Sequence, residues 1–113
     1  MAFQSIVPVK LGQAAISATP TVTTVYTVPA STRTLLKDID IANTTAGAIT
    51  VRVYIVPSAG SPATSNALFY GVSIAANTTL QWTGTQIMTA SETLQAEASA
   101  TGLTIRASGA EAV

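Results

Sequence analysis

The sequence predicts an all-β protein, an antiparallel β-sandwich that is jelly-roll-like and has seven to eight strands. Three observations carry that expectation. The β-branched residues Thr, Val and Ile, which suit a pleated and half-buried surface, recur along all 113 residues. Apolar and polar residues alternate in several short runs, whereas helical apolar spacing is nowhere sustained over a dozen residues. Turn signals rich in Gly, Pro, Asn and Ser part these runs at regular intervals, as in an antiparallel sandwich and unlike a parallel α/β sheet.

Residues 1–20 hold Pro8, Gly12 and Pro20 and are less regular than the rest. They are expected as an edge strand with a linker, or as an arm reaching a neighbouring subunit, ahead of a sandwich domain at residues 21–113. Val22, Tyr26 and Val28 alternate with Thr23 and Thr27 until Pro29-Ala30-Ser31 stops the run. Between Arg33 and Asn43, Leu35, Ile39 and Ile41 are expected on one face, with Asp38, Asp40 and Leu36 on the other. The turn Asn43-Thr44-Thr45-Ala46-Gly47 then leads to Ile49, Val51, Val53 and Ile55, which alternate with Thr50, Arg52 and Tyr54, so a hairpin is expected here. Gly60 and Pro62 mark a loop over residues 58–66, followed by a short strand at 67–73. Leu80 and Trp82 share a face, Ile87-Met88 closes that region, and residues 93–98 and 103–107 supply two further strands.

Composition narrows the chemistry. Ten residues are charged, five of each sign, and there is no His or Cys; an average domain is about 25% charged. A thiol nucleophile, a disulfide, an imidazole base and a Cys/His metal site are thereby excluded. A neutral chain with scattered Lys10, Arg33, Lys37, Arg52 and Arg106 lacks the basic surplus of a nucleic-acid binder. No apolar run approaches the roughly 18 to 20 residues of a spanning helix, so no membrane association is expected. The start, Met1-Ala2-Phe3-Gln4-Ser5-Ile6-Val7-Pro8-Val9-Lys10, does not read as a secretory signal.

Candidate sites are few. Asp38 and Asp40 are clustered acids, but neither six to eight oxygen ligands for Ca²⁺ nor an opposed carboxyl pair across a cleft is supplied nearby. A solvated strand face beside Lys37 is the expected role. Ser and Thr hydroxyls abound without a Ser-x-x-Lys or Gly-x-Ser-x-Gly arrangement, so no catalytic residue, metal ligand or cofactor is assigned. Asn43-Thr44-Thr45 and Asn77-Thr78-Thr79 match an acceptor pattern for glycosylation but read most simply as turns. Tyr26 and Trp82 lie in phase with apolar neighbours and are expected in the core. Tyr54 is out of phase with Val53 and Ile55 and should point outward. With Tyr70 and the apolar Phe3, Ile6 and Val7 of the N-terminal segment, it completes the set of candidate interface residues.

Four segments together carry a resemblance: Val-Tyr-Thr-Val-Pro-Ala at 25–30; Leu35-Leu36-Lys37-Asp38-Ile39-Asp40-Ile41-Ala42-Asn43-Thr44; Ile49-Thr50-Val51-Arg52-Val53-Tyr54-Ile55-Val56-Pro57; and Ile74-Ala75-Ala76-Asn77-Thr78-Thr79-Leu80. Over about residues 21–109 the chain resembles the small β-sandwich virion structural proteins of tailed bacteriophages. The resemblance carries no site motif. It implies a non-enzymatic virion protein that self-associates, with a trimer favoured, and does not decide between head and tail; with the low charge and the Thr/Ala/Val-rich strands, a capsid decoration (cement) protein is the leading expectation. Its partner would be the major capsid protein, and its location the outer capsid surface after synthesis in the host cytoplasm. The alternative it leaves open is a small tail, neck, baseplate or fibre component with a host-receptor contact role.

Overall fold

A computed structural model describes residues 5–113. Eight strands follow in order: β1 (Ile6–Ala15), β2 (Thr23–Thr27), β3 (Arg33–Asn43), β4 (Ile49–Val56), β5 (Ala67–Ile74), β6 (Thr78–Met88), β7 (Thr93–Ala98) and β8 (Leu103–Ala112). A single 3-10 turn, Thr64–Asn66, precedes β5. The strands form two four-stranded antiparallel sheets ordered β1-β8-β3-β6 and β2-β7-β4-β5. Two packed sheets interleaved in this way make an eight-stranded jelly roll. The fold class is therefore the one the alternation predicts.

The core lies between the sheets. Leu36, Ile39 and Ile41 of β3 and Leu103, Ile105 and Ala107 of β8 face Val51 and Val53 of β4 and Leu94 and Ala96 of β7. Burial at every second position is what a strand with one dry face requires. Tyr26 and Trp82 pack against this cluster while half-buried.

Two expectations are corrected. The run Asn43 to Gly47 does not close a hairpin, because β3 and β4 lie in different sheets. It is a corner, and Asn43 anchors it: the buried amide donates to the carbonyls of Gly47 and Ile74, each at 2.9 Å, while Oδ1 accepts from the Thr45 amide and hydroxyl. Paired with β4 is β5, reached through the loop that carries the 3-10 turn.

Leu36, expected outside with the two aspartates, is fully buried with Ile39 and Ile41, and Leu35 is the half-buried outer residue. The cause is a bulge: Leu36 pairs with Gly109 but Asp38 with Ser108, so Lys37 is an extra residue that reverses the phase. A second bulge lies in β1 between Lys10 and Gly12, opposite the same part of β8.

Candidate functional site

The outer faces of the two sheets present different chemistry. On the first sheet the register aligns Pro8, Ala110, Leu35 and Ile87 across all four strands. This row is apolar, and Ile87 is half exposed. At the adjoining corner, Ser5 and Val113 exchange backbone hydrogen bonds of 3.0 and 2.9 Å, which brings exposed Val113 beside exposed Ile6 and Val7.

Beyond the bulges the same face turns polar. Asp38 and Asp40 lie on it together, as the two-residue period requires, yet they are half-buried and not freely solvated. Each keeps one buried carboxylate oxygen without a hydrogen-bond partner. Burial, and then the adjacent Asp40 charge, raise the Asp38 carboxyl above the usual 3.8. Lys37, the expected neighbour, reaches instead to the Thr85 hydroxyl at 2.8 Å on β6, and Arg106 donates to Gln13 at 3.3 Å. A depression of about 270 Å³ runs between Gln13, Asp40, Ala42, Thr79, Thr104 and Arg106. Among the described residues no three Asp or Glu side chains converge as a cation site would need.

The outer face of the second sheet centres on Arg52. Its guanidinium stacks 4.4 Å from the centre of the Tyr70 ring and lies 3.4 Å from the Glu97 carboxylate. Tyr54 donates to the same Glu97 oxygen at 2.9 Å. This corrects the outward Tyr54: its phase is opposite to Val53 and Ile55 as expected, but the side chain is only 4% exposed. A phenol beside a carboxylate on a strand against which the 3-10 turn packs is drawn down onto the sheet. Burial, with Glu97 adding to it, pushes the Tyr54 hydroxyl above its ordinary value. A depression of about 150 Å³ lies beside Arg52, lined by Thr19, Thr50, Glu97, Ala98 and Ser99. Because Glu97 is engaged by both Arg52 and Tyr54, its charge is balanced within the protein.

Of the candidate interface residues, Phe3 lies outside the described residues, Ile6 and Val7 sit at the free corner of the first sheet, and Tyr54 is buried. Tyr70 is 51% exposed on the second sheet, where its ring supports Arg52. The structure therefore divides the set between two faces. Sequence reasoning missed Glu97, Ile87 and Val113; Ile87 and Val113 gave no signal, because a strand edge and a chain end are not visible in alternation.

Solved virus structures share this fold. A chain from the structure of the infectious bursal disease virus Gx strain matches with a TM-score of 0.55 and 12% identity, covering 96% of this chain and 32% of that one. A chain from the Gt strain gives a TM-score of 0.51, 12% identity and coverages of 96% and 31%. The T13 viral particle of the same virus gives 0.51, 10%, 96% and 30%. The chain thus spans about a third of the length of the viral chains it matches. At such identity the likeness is one of fold. No protein-family model matches the chain. No curated protein matches it.

Proposed function

We propose that this chain is a non-enzymatic virion structural protein of a tailed bacteriophage, a capsid decoration protein that self-associates on the outer surface of the shell. It would bridge neighbouring major capsid subunits by buried apolar contact and strand addition, with a trimer as the favoured unit. The observation that carries this reading is the interleaved eight-stranded jelly roll, matched over 96% of the chain by chains from virus structures. The apolar row through Leu35 and Ile87 and the exposed corner at Ile6, Val7 and Val113 supply surface for such contacts. Shells assembled without the protein should rupture at lower temperature than complete shells in a light-scattering melt. Identical melting curves, or immunogold label on tails, overturn the decoration role.

The second reading is a tail, neck, baseplate or fibre component that contacts a host receptor. The exposed Tyr70 ring with Arg52 stacked on it, beside a hydroxyl-lined depression, favours this reading, since rings and charged forks of this kind suit sugars. Glycan-array binding that disappears in Tyr70→Ala would establish it over the first.

A further inference from the structure

We propose that two copies of this chain join edge to edge through β6, in antiparallel register centred on Gln81, to make one continuous eight-stranded sheet. The proposal deepens the self-association in the reading above and rests on that part of it alone; being two-fold, the contact pairs copies and would link trimers to one another without building them.

The four edge strands differ in how they discourage pairing. β1 carries Pro8, Lys10 and a bulge, and β2 is five residues long with a register shift. β5 is broken by two register shifts and a left-handed Gly71 at φ 75°. Proline, charge, shortness and bulges are the usual protections of an edge. Residues 78–83 of β6 have none of them: they pair one for one with β3, from Thr78 opposite Asn43 to Thr83 opposite Asp38, and contain no charge and no proline.

The occupant follows from the order of side chains. With Gln81 on the two-fold axis, Thr79 lies opposite Thr83 of the second copy on the outer face, and Leu80 opposite Trp82 of the second copy on the inner face. Threonine pairs and aliphatic–aromatic pairs stabilise antiparallel strands, and Gln81 meets its own amide. The stretch is thus complementary to itself, as a two-fold contact must be. Leu80 and Trp82 are only half-buried, and Phe69 meets the Trp82 ring edge-on at 6.4 Å, so a second copy would cover an apolar seam along with the backbone edge. A formal net charge of zero opposes no approach between copies. Pairing along one strand buries less than the roughly 1,200 Å² of a standard interface, so the contact is weak in dilute solution and gains from repetition in an assembly.

The chain lacks cysteine, which makes the test direct. Residues facing each other across the axis have Cα atoms about 4.5–5.5 Å apart, inside the Cα range that a disulfide spans. Full-length Gln81→Cys under mild oxidation should convert largely to a covalent dimer, whereas Thr24→Cys, exposed on the β2 edge, should not. In sedimentation equilibrium Gln81→Lys, which sets like charges face to face, should weaken self-association at least tenfold while its circular dichroism stays that of the parent. Cross-linking of Gln81→Cys no greater than that of Thr24→Cys, or unchanged sedimentation of Gln81→Lys, overturns the β6 contact. If the parent chain still self-associates in either case, the β6 contact fails and self-association stands. If the parent is monomeric at every concentration and Gln81→Cys does not cross-link, both fail.

Discussion

Tyr26 joins the two sheets through a single hydroxyl. From β2 it donates to Glu111 on β8 at 2.5 Å and shares a 2.6 Å hydrogen bond with the fully buried Thr34 on β3. Removing it leaves two polar atoms without that partner, so Tyr26→Phe should lose about 1–3 kcal/mol of unfolding free energy in a urea titration. Burial and the Glu111 carboxylate push this phenol up to about 12 from 10.0. The folded state therefore holds the proton longer than the unfolded state. The resulting stability is present in full below pH 10 and is lost as pH rises towards 12, where the difference between parent and variant should shrink. Asp38 has the same sign at the acidic end, because its raised carboxyl makes ionisation costly in the fold. Asp40, Arg106, Lys37 and Ser108 surround it on neighbouring positions. Asp38→Asn should raise the melting temperature at neutral pH, and the gain should vanish as pH falls below 3.8, where the carboxyl is protonated folded or unfolded. A gain that persists at about pH 3 would point to packing and not to charge.

The decisive feature among the elements is the bulge line across the first sheet. β8 runs straight while β1 and β3 each gain a residue against it. Gly109 makes this possible: a Cβ there would stand 1.9 Å from the Leu35 carbonyl oxygen, a backbone atom that cannot swing aside. Gly109→Ala should therefore destabilise by about 3 kcal/mol or more, as overpacking against a fixed backbone does, and a thermal melt within a degree of the parent's would contradict this. The bulge also explains what alternation could and could not reveal. β4 reads true from Ile49 to Val53 because it is regular there. β3 reads true from Ile39 onward and fails at Leu35 and Leu36, since one inserted residue exchanges the faces of everything before it. The Asn43 turn misled for another reason: a short polar turn looks the same whether it joins paired neighbours or crosses from sheet to sheet.

At the scale of the whole molecule, one core serves both sheets, so neither can persist without the other. Loss of strand circular dichroism and of the native fluorescence of half-buried Trp82, which packs against that core, should coincide on heating. Two separate midpoints would show that the sheets unfold independently. The scarcity of charge acquires its place here as well. The ion pair of Arg52 with Glu97 and the half-buried aspartates hold several of the ten charges close to the sheets, leaving outer surface rich in Thr, Ser, Ala and apolar side chains.

The sequence by itself determined the all-β class, the approximate strands, the alternation that builds the core, and the chemistry that ten charges and no His or Cys exclude, because these depend on residue type and local period. Only the tertiary structure decided which strands pair, where the bulges reverse a face, that Tyr54 lies covered on the outer face against Glu97, and that β6 is left as an uncharged edge. Those outcomes rest on contacts between residues far apart in the chain, and a period of two is the same whichever neighbour a strand finds.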